Sequence, residues 1–412
     1  MKKLIAPVFV CLFFSTLIHA QYTGTGSVTQ GEGDTVATGI YVCTGGRVTN
    51  LGTITATDST VWPLPAAINF QNPAFPASSD LYNSCNGHTY ASAAAALSAL
   101  NGSDIVEIDS AGELFTMYIF ADNYFELYIN GVPVGKDNVP YTQFNSSIVR
   151  FRVYRPFTVA MLLVDWEEHL GVGCETNTTY SYYVGDGGIV AVIKDPFGAT
   201  VATTGPSWRA QTFYTSPVKN LGCVYETGGE RRSDTCSTTS SNNGTSYYGL
   251  HWPRPSGWET QAFPDTDFPP AYTYSNTTVG VNNKPAYTNF TSIFDDPADD
   301  AQFIWSSNLI LDNEVLVRYT VPSSGTGIRE TGEGAIFEVF PNPATSSTNV
   351  RILRDKAFGA AYDLQVNDVN GRTIWSCSSC PDTLPSSAWP AGIYSVQLIS
   401  GGKTHTRKLV IR

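Results

Sequence analysis

The stretch Tyr118-Ile119-Phe120-Ala121-Asp122-Asn123-Tyr124-Phe125-Glu126-Leu127-Tyr128-Ile129-Asn130-Gly131-Val132-Pro133-Val134-Gly135 holds three apolar runs separated by two polar pairs. Asn-Gly between two apolar runs is a strong signal for a two-residue type I′ hairpin, because both central residues of that turn need positive φ. Asp122-Asn123 reads as a second turn between apolar runs. The stretch therefore encodes strands.

Working outward, residues 114–120, 125–129, 148–154, 158–164, 189–194 and 313–319 show apolar alternation or short continuous apolar runs, as strands of a sandwich core do. Residues 150–165 read as paired strands, and 303–305 with 313–318 as the strand that closes the sandwich. The alanine-rich segment 91–100 is the single helix expected. Composition agrees with an all-β chain: 36 Gly, 24 Pro, 22 Tyr and 21 Phe, with 15% charged residues.

A length of 412 residues implies two or three units with separate cores. We expect a secretory leader at 1–20, a strand-rich lead-in at 21–60, a large β-sandwich at 61–321, a linker at 322–336 and a small immunoglobulin-like sandwich at 337–412. Within the large domain, 223–285 loses strand periodicity and reads as a loop-rich surface excursion. Its Tyr247, Tyr248, Trp252, Trp258, Tyr272 and Tyr274 suggest an ordered one.

Lys2 and Lys3, an apolar run over 4–18 and Ile18-His19-Ala20 make up the leader. A membrane anchor is the alternative, but fifteen residues fall short of the roughly 20 needed to span a bilayer. No later segment is apolar enough to span. The formal charge of −12 grows more negative once the two lysines leave, and disfavours nucleic acid and anionic lipid as partners.

Beyond the leader seven cysteines remain, an odd number, in an oxidising compartment where disulfides persist. Short loops favour Cys223 with Cys236 and Cys377 with Cys380. The Cys377-Ser378-Ser379-Cys380 pair lies in a β-rich tail ahead of Pro381, so a staple is expected ahead of a redox or zinc role.

In the tail, Val339-Phe340-Pro341-Asn342-Pro343, then Asn370-Gly371-Arg372, Leu384, Ala391-Gly392-Ile393-Tyr394-Ser395-Val396 and finally Lys408-Leu409-Val410-Ile411 follow one another in order. This series resembles the type A C-terminal sorting domain of the type IX secretion system of Bacteroidota. The resemblance implies that Pro341, Asn342, Pro343, Gly371, Arg372, Gly392, Tyr394 and Lys408 belong to the sorting signal. It also implies the type IX translocon and its tail-processing machinery as partners, and a secreted or cell-surface protein. The plainer alternative is a terminal stalk in which Asn342 and the glycines only make turns.

The Ala121-Asp122-Asn123 turn, its aromatic neighbour and Glu126-Leu127-Tyr128-Ile129-Asn130-Gly131 resemble the galactose-binding-like jelly-roll modules found beside glycoside hydrolases. The resemblance implies a scaffold that often binds carbohydrate. Candidate ligand-binding residues are Asp165, Trp166, Glu168, His169, Glu175 and Asp186, a group of carboxylates and aromatics after an apolar strand, joined by the turn at 185–188. Sugar or calcium are both chemically suited to such a group. Equally, Trp166 can cap the core while Glu167 and Glu168 stay solvated. The acidic run at 295–300 lacks the spacing of an EF-hand loop and reads as a solvated turn.

His88, His169, His251 and His405 fall in no zinc-protease motif, and no nucleophile elbow, phosphate loop or dinucleotide fingerprint is present. Three functions stay open. The first is non-catalytic carbohydrate binding through Trp and Tyr faces. The second is polysaccharide hydrolysis by carboxylates such as Glu168, Glu175 or Asp186. The third is a structural or adhesive surface role.

Overall fold

In the computed structural model, which describes residues 22–43, 47–141, 143–323, 337–344, 348–352, 362–369, 371–378, 383–400 and 403–412, the Asn130-Gly131 turn has φ of 53° and 85°. Ile129 faces Val132 across it, so the hairpin is the two-residue type that the dipeptide demands. Contacts divide the chain into two compact units, Met1–Val321 and Pro322–Arg412.

The first unit is built on two sheets. One runs in the order Ser27–Gln30, Tyr248–His251, Arg209–Val218, Asp312–Val321, Phe157–Val164, Tyr124–Ile129, Val132–Lys136. The other runs Tyr272–Tyr274, Phe303–Trp305, Gly188–Lys194, Glu113–Asp122, Ser146–Val153, Ser79–Asn83, His88–Thr89, with two further strands paired off this path. Met117 and Ile119 from one sheet share a buried cluster with Leu127, Met161 and Leu163 from the other.

All eight residues of Phe157–Val164 are buried. Val159, Met161 and Leu163 face the opposite sheet, while Ala160, Leu162 and Val164 face a second cluster that holds Trp252, Trp258 and Phe268. Burial on both faces is why this strand, Thr158 apart, reads as one continuous apolar run.

Several expected pairings are corrected. Asp122-Asn123 does not close a hairpin, since Glu113–Asp122 and Tyr124–Ile129 lie in different sheets. The chain crosses the core there. Residues 150–165 are likewise not paired with each other: Ser146–Val153 pairs with Glu113–Asp122, and Phe157–Val164 lies between Tyr124–Ile129 and Asp312–Val321. Two apolar strands in succession bury the same core whether they sit side by side or face to face, and here Phe151 and Phe157 meet across it at 5.6 Å. For the same reason Phe303–Trp305 and Asp312–Val321 fall in opposite sheets, the latter central and not closing.

The 223–285 segment consists of loops and short strands that cover the sandwich. It lends Tyr248–His251 to one sheet and Tyr272–Tyr274 to the other, and it buries Tyr247, Trp252 and Trp258. The Arg231 guanidinium lies between Phe213 and Trp252, 4.4 and 4.8 Å from their ring centres. Isolated large aromatics set on a flat sheet face need no strand period, which is why periodicity vanishes here.

Cys223 is bonded to Cys236, and Cys43 to Cys85. Cys174 is buried and unbonded. The short helix Ala93–Ala99 is capped by Ser92, whose Oγ accepts from the Ala95 N–H.

In the second unit, a three-stranded sheet (Phe337–Phe340, Thr348–Ile352, Thr383–Leu384) accompanies a four-stranded one (Thr373–Ser378, Asp363–Asn367, Gly392–Ser400, Lys403–Ile411). Phe337, Leu364, Val366, Leu384, Val396, Leu398 and Leu409 make its core. Gly392–Ser400 alternates buried and half-buried positions with the period of two expected of a strand. The leader at 1–20, residues 324–336 of the linker, Asn370 and Cys380 lie outside the described residues.

Candidate functional site

Three chain crossings meet at one rim of the large sandwich. Asp122 ends one strand of the second sheet, Asp165 follows the last residue of Phe157–Val164 in the first, and Gly185-Asp186 lead into Gly188–Lys194. Gly188 pairs with Asp122, and the Asp165 N–H donates to the Asn313 carbonyl at 3.0 Å. Asn123 ties the two sheets together. Its Oδ1 accepts from the Trp166 N–H at 2.7 Å and its Nδ2 donates to Asp122 Oδ1 at 2.9 Å.

The result is a pocket of about 230 Å³ lined by Asp122, Asp165, Glu175 and Asp186, with Arg47, Lys284, Tyr183 and Phe144 among its other walls. Glu175 exchanges both backbone hydrogen bonds with Tyr183, and its Oε2 lies 2.6 Å from Arg47 Nη1. Asp165 is only 6% exposed, yet among the described residues no group donates a hydrogen bond to its carboxylate. A Cβ placed on Gly185 would stand 3.6 Å from both Asp165 oxygens, so the absence of a side chain there leaves the carboxyl open to the pocket.

Burial pushes the Asp165 carboxyl well above the usual range, and Glu175, Asp122 and Asp186 push it further. Asp122 is raised well above that range for the same reasons, opposed by Lys284. Asp186 is raised to about 6 by burial and then by Glu175.

The predicted residues divide. Asp165, Glu175 and Asp186 come together in the pocket. Trp166 does not: it is buried beside Val139 and Tyr141, with no face for a ligand. Glu168 accepts from the Thr176 N–H at 2.7 Å and lies 3.6 Å from Arg47, beside the pocket and not in its wall. His169 is held between Glu32 and Thr176 and packs on Tyr182, with ring centres 4.3 Å apart, outside the pocket lining. Glu167 is not solvated. It is buried and accepts from the Gly171 and Gly173 N–H groups and the Tyr214 hydroxyl.

Asp122, Asn123, Arg47, Lys284, Tyr183 and Phe144 were not singled out as site residues in sequence. In sequence the Asp122-Asn123 pair reads as a turn and as part of the galactose-binding-like resemblance, not as a site. Among the described residues, no three His, Cys, Asp or Glu side chains stand close enough to hold a metal ion, and no helix is long and apolar enough to cross a membrane. The acidic run at 295–300 is partly buried, with Asp299 3.4 Å from Lys194 Nζ.

In the tail, Asn342 straps its proline-flanked turn to the final strand: Nδ2 donates to the Lys408 carbonyl at 2.6 Å and Oδ1 accepts from the Val410 N–H at 2.9 Å. Pro341 and Pro343 flank it, and Ala344 continues the contact through Val410 and Arg412. Gly371 has φ of 75°, and the neighbouring Arg372 side chain is exposed, 3.2 Å from Asp368. Gly392 pairs with Ile411, and the Tyr394 hydroxyl donates to the Pro390 carbonyl at 2.7 Å.

Residues 338–412 match the secretion system C-terminal sorting domain. No curated protein matches the chain. Among solved structures, the chain is similar to a beta-glucuronidase from Faecalibacterium prausnitzii, at 11% identity over 75% of this chain and 36% of that one, with a TM-score of 0.15. It is similar to dimeric latent PorU from Porphyromonas gingivalis at 12% identity over 94% and 34%, with a TM-score of 0.16. It is also similar to the BSP domain of a biofilm associated protein, at 9% identity over 72% and 75%, with a TM-score of 0.15. The chain spans about a third of the length of the first two. At such TM-scores there is no overall superposition. The sorting domain is the decisive match: the protein is exported by the type IX secretion system to the cell surface or beyond, with its C-terminal domain as the signal.

Proposed function

We propose that the large unit is a non-catalytic carbohydrate-binding module of galactose-binding-like type, exported behind a leader at 1–20 and joined to its sorting domain by a linker at 322–336. The observation that carries the reading is Asp165, a buried carboxyl without a hydrogen-bond donor that faces an open pocket. Leaving such a group unmet is costly, and a ligand rich in hydroxyl donors meets it. A volume of about 230 Å³ lies below the usual range for drug-sized ligands and suits a single sugar ring. Tyr183 and Phe144 supply apolar wall, and the carboxyls fix hydroxyls. Trp166, Trp252 and Trp258 are buried, so stacking does not fall to them.

Gly185→Ala tests this reading. The added methyl meets the Asp165 oxygens at ordinary contact distance and nothing else within 4 Å, so the fold tolerates it while access to Asp165 closes. On a glycan array the full chain is expected to retain at least one glycan and the variant to lose it, at equal thermal midpoint. Retention of no glycan by the parent chain, or equal retention by the variant, overturns the assignment.

A second reading, polysaccharide hydrolysis, is favoured by one observation: Asp186 is raised to about 6 while Asp165 is held well above the usual range, and general acid–base work uses carboxyls in opposite protonation states. Release of reducing ends that disappears in both Asp165→Asn and Asp186→Asn decides for it; glycan retention without such release decides against it.

A further inference from the structure

The rim pocket carries an imbalance of charge. Four carboxyl groups, from Asp122, Asp165, Glu175 and Asp186, face two cations, Arg47 and Lys284. Arg47 is already engaged, 2.6 Å from Glu175 and 3.6 Å from Glu168. The Lys284 ammonium lies over the Phe144 ring at 4.2 Å. Neither cation gives the Asp165 carboxyl a hydrogen bond, and the carboxyl faces the open pocket.

Three ligand chemistries meet an unsatisfied carboxyl: a hydroxyl, a metal ion and an ammonium. Hydroxyl donors complete hydrogen bonds but bring no positive charge to offset the mutual repulsion that raises Asp165, Asp122 and Asp186. A divalent cation needs several oxygens converging on one point at about 2.3–2.6 Å. Among the described residues, no three acidic, His or Cys side chains approach that closely. An ammonium brings three donors, no acceptor and a positive charge. Carried on a sugar ring, it can sit against one carboxyl while ring hydroxyls reach the others, so the carboxyls need not converge.

Resting on the carbohydrate-binding reading, we propose that the pocket takes an amino sugar with a free primary ammonium, seated against Asp165 through the opening that Gly185 leaves. Acetylation of that nitrogen removes the charge and turns a carbonyl acceptor toward carboxyls, so the N-acetylated ring is rejected. Lys284 is a like charge at the same pocket and opposes the ligand. Because Asp122, Glu175 and Asp186 all lie around Asp165, their combined field reinforces the preference.

The test is titration calorimetry on the full chain with glucosamine, galactosamine and mannosamine, their N-acetyl forms, the three parent hexoses, and methylammonium. At least one hexosamine is expected to bind at least about ten-fold tighter than its N-acetyl form and its parent hexose. Lys284→Ala is expected to tighten that binding several-fold. Asp165→Asn is expected to erase the preference without lowering the thermal midpoint. Equal affinity for an amino sugar and its parent overturns the ammonium inference and leaves sugar binding standing. Methylammonium binding as tightly as a hexosamine keeps the ammonium and overturns the sugar. Binding of none of the ten probes overturns both. Weaker hexosamine binding in Lys284→Ala also counts against the proposal, since it makes Lys284 a partner and not a competitor.

Discussion

Two buried carboxyls in the same sandwich live in opposite circumstances. Asp312 is fully buried at the start of the central strand Asp312–Val321, and it accepts from the hydroxyls of Thr215 at 2.7 Å, Ser233 at 3.2 Å and Ser306 at 2.6 Å. Its own carbonyl accepts from the Trp305 indole N–H at 2.8 Å. Asp165, at the rim, accepts from none of the described groups. One carboxyl knots the covering layer and both sheets together. The other has no such partner among the described residues and faces the pocket. A buried carboxyl that the fold satisfies serves structure; under the function proposed above, the one left open serves a ligand.

Asp312→Ala tests the first half of that contrast and has the largest expected effect. It takes the acceptor from three buried hydroxyls, of which Thr215 and Ser306 keep weaker contacts to Thr212 and the Asn308 carbonyl, and each unsatisfied donor costs about 1–3 kcal/mol. With partial relaxation we expect a loss of about 4 kcal/mol, read as a lowered midpoint in chemical denaturation. A loss under about 1 kcal/mol means that the knot contributes nothing, and the contrast with Asp165 collapses.

Asp165→Asn tests the second half. The amide keeps the shape and removes a group that burial and four neighbouring carboxyls hold away from its ordinary ionisation. Stability at pH 8 is expected to stay level or rise by about 1 kcal/mol, the reverse of the usual outcome for a buried polar substitution. A loss of 2 kcal/mol or more makes Asp165 a structural residue.

The same contrast explains which parts of the molecule were legible in sequence. Asn130-Gly131 announced its hairpin because the demand for positive φ is local, and Asn342 stands in a turn that its proline neighbours mark. The partner of Phe157–Val164 was not legible, because strands that follow one another across the core and strands that pair side by side present the same apolar runs. Asp165, Glu175 and Asp186 lie within 22 positions of one another and invited comparison as a group. Arg47, Asp122 and Lys284 stand far apart in sequence and are brought to the same rim only by the tertiary fold. Trp252 and Trp258 misled in the opposite direction. Set among Ser, Asn and Gly they suggested a binding surface, yet a sheet that is apolar on both faces needs a cover, and they provide it.

A third expected effect is a pH dependence located at the pocket and set by Asp186. Its carboxyl is raised from the ordinary value near 3.8 to about 6 in the folded chain, first by burial and then by Glu175. The folded state therefore holds a proton that the unfolded chain has already released, and between about pH 4 and pH 6 stability falls as pH rises. Above that window the loss is complete and constant. Asp186→Asn has no proton to lose, so its stability relative to the parent is expected to climb across the same interval and level off beyond it. Asp312 also rises to about 6, but it is common to both chains and cancels in the difference. Denaturation midpoints of parent and variant measured from pH 3.5 to 8 read the effect directly. A difference that is flat across the interval, or that rises only at higher pH, places the pocket's strained proton on Asp122 or Asp165 instead, the two carboxyls that burial raises further.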